Sequence, residues 1–347
     1  MRVLYFGSYN PDYSRNRVLI DGLKQNDVEV IECRDDSPGI GKFIKLYQKH
    51  RRLKNKYDVM VVGFLGQQIV PFAKLISRKP IVFDAFLSLY DSNVFDRKTV
   101  RAGSLRAFYY WVLDWLSMRL ADIVLFDTDQ HIQYASEEFG IKTRKFRRIW
   151  IGARDSVFYP MPQLNSGKFL IVFHGSFIPL QGIEYILRAA KICQKDDIKF
   201  LIIGDGQEKK KMVELSDKLG LKNVEFTDFM SQEWIRENIA KADVCLGIFG
   251  NTQKTQRVIP NKVYECLAMK KPIVTANTPA VRELFNEGDL ILVEPANPES
   301  LADAILRLKQ DPALMNKIAA NGYEKFKNNA SPLILGGKFK DIINELE

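Results

Sequence analysis

The stretch "FLIVFHGSFIPLQGIEYILRAAK" (residues 169–191) decides the fold. It opens on a run of aliphatic and aromatic residues without polar alternation, the pattern of a strand buried on both faces. Gly175 and Ser176 end that run, and Gly182 precedes a helical pattern that sets Ile183, Ile186, Leu187 and Ala190 on one face. Buried strand, glycine turn and amphipathic helix are the repeating parts of a parallel, doubly wound sheet. The exposed amides of a helix entered from such a turn suit an anion.

The same alternation runs along the whole chain. "RVLYF" (2–6), "VEVIE" (28–32), "DVMVV" (58–62), "PIVFD" (80–84) and "DIVLF" (122–126) form one series. "FLIVFHG" (169–175), "KFLIIG" (199–204), "VEFTD" (224–228), "DVCLGIF" (243–249), "PIVTA" (272–276) and "LILVE" (290–294) form a second. Between them "FYPMPQLNSGK" (158–168), with two prolines and an Asn-Ser-Gly cluster, reads as a linker. The expected organisation is a first domain over 1–162, a second over 163–332, and a C-terminal helix over 333–347 packing back on the first. "GGKFKDIINELE" (336–347) reads there as a helix after a glycine pair. The fold class is α/β: two doubly wound Rossmann-like domains facing a cleft, because ligands of open α/β sheets collect beyond the carboxyl ends of the strands. A length of 347 residues suits two such cores.

Composition narrows the class. Hydrophobic residues make up 46% and charged residues 27%, which argues against extended disorder. Cys33, Cys193, Cys245 and Cys266 lie far apart and form no metal-binding or disulfide pattern, so a reducing cytoplasm is expected. "MRVLYFGSYNP" turns polar too early for a signal peptide, and the apolar stretch "FYYWVL" (108–113) is broken by Asp114 well short of the ~20 residues of a membrane span. Residues 1–160 hold 26 Lys and Arg against 18 Asp and Glu, a net charge of +8 out of the total of +9. "KFIKLYQKHRRLKNK" (42–56) and "RKFRR" (144–148) carry this excess, as a patch for anionic lipid or phosphorylated ligands or as a solvated helix face. "LRAFYYWVLDWLSMRLAD" (105–122) has a narrow polar stripe at Arg106, Tyr110, Asp114 and Ser117 and reads as a core helix. Together with the basic run it gives a peripheral, salt-sensitive contact with an anionic membrane. Nucleic acid is not expected, since the run lacks the interleaved aromatics of a stacking platform.

Candidate chemistry lies just after the strands. "FGSYNPDYSRNRVLIDGLK" (6–24) offers Gly7, Ser8, Asn10, Ser14 and Arg15 before a helix. "IIGDGQEKKKM" (202–212) places Gly204, Asp205 and Gly206 after a strand, but as GxGxxK rather than the GxGxxG of dinucleotide binding. In "RVIPNKVYECLAMKKPIV" (257–274), Pro260 opens a short helix that buries Val263, Cys266, Leu267 and Met269 and ends at Lys270-Lys271-Pro272. Its start, with Asn261 and the charge of Lys262, favours a diphosphate. Glu265, one turn in, can accept hydrogen bonds from the vicinal hydroxyls of a ribose, or pair with Lys262 or Arg257 as a structural ion pair. His174 ends a strand beside Gly175, in reach of a phosphate or simply as part of the core; His131 and His50 offer less. Asp84, Asp91 and Asp127 close first-domain strands or follow them, facing an acceptor hydroxyl or serving as turn and cap residues.

"HGSFIPLQGIEYILRAA", "FLIIGDGQEKKKMVELSDKLGLKNVEFTDFM", "ADVCLGIF" and "IPNKVYECLAMKKPIVTANTPAVREL" follow one another in the order of the second domain of the retaining glycosyltransferases of family four, which have the GT-B fold, and the sequence resembles that family. "DAFLSLYDS" (84–92), "ADIVLFDTDQH" (121–131) and "IWIGARDSVFYP" (149–160) are similar to the family's acceptor domain. The resemblance implies that Glu265 is the second Glu of an E-x7-E motif and binds the nucleotide ribose. It also implies a phosphate-facing turn at Lys262 and Val263 and a diphosphate turn at Gly175 and Ser176; Gln181, Gly204, Asp205, Gly206, Gly250 and Asn261 are further donor-binding candidates. Asp228, Phe229 and Met230 match the loop flanking the base, and Gly7, Ser8, Arg15, Asp84 and Asp91 stand on the acceptor side. Three positions depart from the pattern. The first Glu of the motif falls on Arg257, and the Arg and Lys of the phosphate clamp fall on Ser176 and Gln181, so that Lys262 is expected to supply the missing charge. The activity implied is retaining transfer of a sugar from a nucleotide diphosphate sugar to a hydroxyl of a lipid-linked or saccharide acceptor, in cell-surface glycan or glycolipid synthesis, with no metal or other cofactor. The alternatives are a nucleotide-sugar-binding subunit without turnover, suggested by Arg257, Ser176 and Gln181, and a nucleotide-sugar epimerase.

Overall fold

The computed structural model describes residues 1–162 and 167–346. The chain divides into two compact units, Met1–Gly152 with Ala330–Glu347, and Ala153–Asn329. These divisions fall at 152/153 and 329/330, where the sequence suggests 162/163 and 332/333. Of the linker expected over 158–168, residues 163–166 lie outside the described residues.

In the first unit, β1 (Arg2–Gly7), β2 (Glu29–Arg34), β3 (Val59–Val62), β4 (Ile81–Phe86), β5 (Ile123–Phe126) and β6 (Phe146–Arg148) form one sheet in the order β2-β1-β3-β4-β5-β6. Every pairing is parallel. Leu4, Phe6, Met60, Val62, Phe83 and Phe126 build a core on one face, where each fully buried side chain contributes about 1.5–3 kcal/mol. The third residue group of this sheet corrects the sequence reading. "RKFRR" is in part the edge strand β6, and its charges are engaged: Arg147 pairs with Glu345, and Arg148 with Asp129 at 2.5 Å.

The second unit holds β7 (Phe169–His174), β8 (Ile198–Ile203), β9 (Val224–Thr227), β10 (Val244–Leu246), β11 (Ile273–Ala276) and β12 (Ile291–Val293) in the order β12-β11-β10-β7-β8-β9, again all parallel. The order reverses between β7 and β10, and it is at such a switch point that open α/β sheets bind ligands.

A helix over Pro332–Asn344 belongs to the first unit. The glycine pair expected to precede it lies inside it. Gly336 crosses Gly22 of the helix Ser14–Gln25 so closely that a Cβ on Gly336 would stand 2.0 Å from the Gly22 carbonyl carbon. Asn26 donates to the carbonyl of Leu333 at 2.8 Å beside this crossing. Glycine is required here for backbone approach, and its weak helix propensity is outweighed by the packing.

Candidate functional site

The carboxyl end of β7 and the helix Asn261–Ala268 bring the site together inside the second unit. Pro260 caps that helix in an extended conformation without a side-chain hydrogen bond, so the first amides of the helix carry no cap of that kind. Val263, Cys266, Leu267 and Met269 are buried and fix the helix against the core. This packing turns Lys262 inward, where it is only 4% exposed.

The Lys262 ammonium lies 3.7 Å from the centre of the Phe173 ring and donates to Oε1 of Gln181. Burial pushes this ammonium well below the usual lysine range. Gly175 closes β7 at φ +152°, and a Cβ there would meet Nζ of Lys262 at 2.7 Å. The glycine is therefore needed twice, for its backbone angle and for the cation beneath it. Gln181 holds the position at which the resemblance puts the clamp lysine, and Lys262 delivers an ammonium to that same place from another helix.

Glu265 does not form the ion pair with Lys262 that sequence proximity suggests. His174 Nε2 meets its Oε2 at 2.7 Å, with both side chains largely buried. The sequence points to both residues but not to their pairing; 91 positions separate them, and only the fold, which sets the end of β7 against the helix at 261, brings them together.

The neighbouring loops close around the Gly175 turn. A Cβ on Gly204 would stand 1.9 Å from the Gly175 carbonyl oxygen, and one on Gly206 would stand 2.7 Å from the Phe177 nitrogen. The two glycines of "GDG" are thus required by loop packing, while Asp205 accepts from the Phe177 amide through its main-chain oxygen and is exposed. Gly182 lies against Gly250, with a Cβ on Gly182 placed 2.4 Å from the Gly250 nitrogen. The start of the helix Ile183–Ile192 is covered by this contact, whereas the helix at Asn261 starts without a side-chain cap, its Val263 amide donating to the Pro260 carbonyl at 3.0 Å. Ser176 is exposed at the turn, and Phe229 and Met230 are exposed after β9. Asp228 of that loop pairs with Lys209.

The acceptor-side candidates are placed differently. Arg15 and Asp84 are fully buried and bound to each other at 2.8 Å, and Arg15 also donates to the carbonyls of Ile149 and Trp150. Asp91 is buried as well. Ser8 donates to the Asp35 carbonyl at 2.7 Å beside Gly7. His131 Nδ1 meets Asp127 at 2.5 Å, and His50 joins a buried chain through the Tyr57 hydroxyl to Ser77. Among the described residues no cluster of three or more His, Cys, Asp or Glu side chains is placed to hold a metal ion.

A family model described as glycosyl transferases group 1 matches residues 160–325. The matched residues fall within the second unit. The chain is 28% identical over 181 residues to the alpha-D-kanosaminyltransferase of Streptomyces kanamyceticus, a match covering 50% of this chain and 46% of that protein. It thus spans about half the length of that curated relative. Over 356 residues it is 22% identical to the capsular polysaccharide biosynthesis glycosyltransferase CapM of Staphylococcus aureus, covering 93% of this chain and 87% of that one. Among solved structures, HepE of Anabaena in complex with UDP-glucose superposes with a TM-score of 0.74 at 17% identity, over 99% of this chain and 100% of that one. At that identity the likeness is one of fold, the two Rossmann-like α/β domains of GT-B enzymes.

Proposed function

We propose that the chain is a retaining glycosyltransferase that moves a sugar from a nucleotide diphosphate sugar to a hydroxyl of a lipid-linked or saccharide acceptor in glycan or glycolipid synthesis in the cytoplasm. One observation carries the reading: a buried ammonium held by a neutral amide, Lys262 on Gln181, lies under a glycine turn at the switch point of the second sheet. A cation without a carboxylate bound to it suits an incoming anion, and the positive end of the helix beginning at Asn261 adds partial positive charge. Together they stabilise the departing diphosphate, whose charge grows as the glycosidic bond breaks. Glu265, held by His174, binds the ribose hydroxyls, and the exposed Phe229 and Met230 flank the base. With the diphosphate neutralised in this way the proposal gives a divalent cation no role. A lipid-linked acceptor is met at a membrane surface, which is the peripheral contact we propose for the first unit.

The test is a melting-temperature panel of nucleotide sugars, followed by transfer from the stabilising donor to a lipid extract. A nucleotide diphosphate sugar at a hundredfold its Kd raises stability by about 2.7 kcal/mol. The expected result is stabilisation by one base and sugar class, lost in Lys262→Ala and Glu265→Ala, with product only when acceptor is present. Undiminished donor affinity in Lys262→Ala would overturn the diphosphate assignment. Conversion of free donor without acceptor would point instead to an epimerase, and binding without any turnover to a subunit that only holds the nucleotide sugar.

A further inference from the structure

The helix Leu105–Leu120 in the first unit exposes the apolar side chains of its first turn. Its buried residues include Asp114 and Ser117, whereas Leu105 is 89% and Phe108 64% exposed, with Tyr109 beside them. The inward place of Asp114 has a cause. Asp114 Oδ2 accepts from the Ser88 hydroxyl and the Tyr90 amide, both at 2.8 Å, so the carboxylate is drawn inward to hold the loop after β4. Of the apolar circumference, Ala107 and Met118 are buried and Trp111, Trp115 and Leu120 pack against the core, so the exposed part is confined to Leu105, Phe108 and Tyr109 at the first turn.

A second helix, Gly41–Leu53, presents a similar face. Ile40, Ile44 and Tyr47 recur at helical spacing on its outer side, Ile40 at 77% and Ile44 at 56% exposure, while Leu46 and His50 point into the core. The starts of the two helices are joined across the surface: Lys42 donates to Oε1 of Gln68 at 3.4 Å, and Nε2 of Gln68 donates to the Tyr109 hydroxyl at 3.1 Å. The apolar residues are interleaved with cations. Among the described residues Lys45, Arg51 and Arg52 on one helix, and Arg101 and Arg106 at the other, have no acidic partner and stand exposed.

We infer that this composite face is a membrane-docking surface that takes an anionic bilayer, with Leu105, Phe108, Ile40 and Ile44 entering the headgroup boundary and the flanking cations meeting lipid phosphates. This deepens the membrane contact proposed above by assigning it to particular residues. Charge complementarity selects the occupant. A two-fold contact with a second copy would set these unpaired cations against one another, whereas an acidic lipid surface matches them all. No helix among the described residues is long and apolar enough to cross a membrane, so the contact is a peripheral one.

The experiment is co-sedimentation of the full chain with vesicles of phosphatidylcholine alone or with phosphatidylglycerol added, without sugar donor or acceptor, so that its failure leaves the transfer reading standing. The chain is expected to partition at least tenfold more onto the anionic vesicles. Leu105→Ser with Phe108→Ser should lower that partition about tenfold or more. Arg51→Ser with Arg52→Ser should lower it about fivefold for each cation removed at low salt. Melting temperatures equal to that of the parent chain exclude misfolding, and the arginine pair provides a second variant should the first be unstable. Equal binding to both vesicle types, no binding, or binding unmoved by either variant would overturn the inference. So would a lipid-free dimer, seen by sedimentation velocity, that Leu105→Ser with Phe108→Ser dissociates.

Discussion

Each unit buries a cation among the strand ends of its sheet, and the two are held in opposite ways. In the first unit Arg15 is fully buried against Asp84 and two main-chain carbonyls, so its charge is neutralised within the fold. In the second unit Lys262 is nearly as buried, but its hydrogen-bond partner is the neutral amide of Gln181. On the proposed function, the contrast separates a cation that supports structure from one that meets a ligand, although both follow a strand and a glycine turn. The burial of an unneutralised charge costs stability, a cost that the diphosphate of the proposed donor would offset.

The sharpest test exchanges the roles. Arg15→Met leaves Asp84 buried without its partner and should destabilise the chain by about 3–5 kcal/mol in urea unfolding. Lys262→Met should leave stability unchanged or raise it, because it removes a desolvated ammonium, while weakening donor binding by about 1.5–3 kcal/mol, the worth of hydrogen bonds to a charged group. Equal loss of stability in both variants, with donor affinity intact, would erase the distinction. The direction with pH follows from burial. The folded pKa of Lys262 is depressed, so the unfolded chain binds the extra proton, and the penalty is full below the folded value and is relieved as pH rises toward the ordinary lysine range.

Asp114 is the anionic counterpart in the first unit, held by Ser88 and the Tyr90 amide without a cation in hydrogen-bond contact, and burial raises its carboxyl to about 6. Its folded pKa lies above the unfolded one, so its contribution is fully present below about pH 4 and is lost as pH rises through about 6. Two pKa units correspond to about 3 kcal/mol. Asp114→Asn should flatten that slope between about pH 4 and 6 in unfolding measurements; an unchanged slope would assign it to another group.

The smallest contrast is between the two glycines. A Cβ on Gly7 has no neighbour nearer than 3.6 Å, whereas one on Gly175 would press on the Lys262 ammonium. Alanine at either position should cost about 1–3 kcal/mol for its backbone angle. Only Gly175→Ala should also weaken donor binding, measured by titration of the nucleotide sugar. Equal affinities in the two variants would show that the turn and the cation act separately.

Most of the sheet was legible because its strands are continuous apolar runs bounded by glycine, proline or acidic residues. β6 was not, since Phe146 is its lone apolar residue and the arginines that follow are satisfied by Asp129 and Glu345 from elsewhere in the chain. The helix at 105 was legible as a core helix through Trp111, Trp115 and Met118, but the inward turn of Asp114 was not. Periodicity tells which residues share a side, whereas the donors at Ser88 and Tyr90 decide which side is buried. At the candidate site the residue types were readable at Lys262, Glu265, Gly175 and His174. Their pairing was not, because proximity in sequence pointed Glu265 to Lys262 and the fold joins it to His174.

The crossing of Gly336 over Gly22 sets an order of events during synthesis. Residues 153–329 are contiguous and can condense as soon as they leave the ribosome, whereas the amino-terminal lobe waits for its closing helix until residue 344 has been translated. A released chain truncated before Pro332 should therefore show the later-made lobe protease-resistant while the earlier-made one is still open to cleavage, an inversion of the usual vectorial sequence.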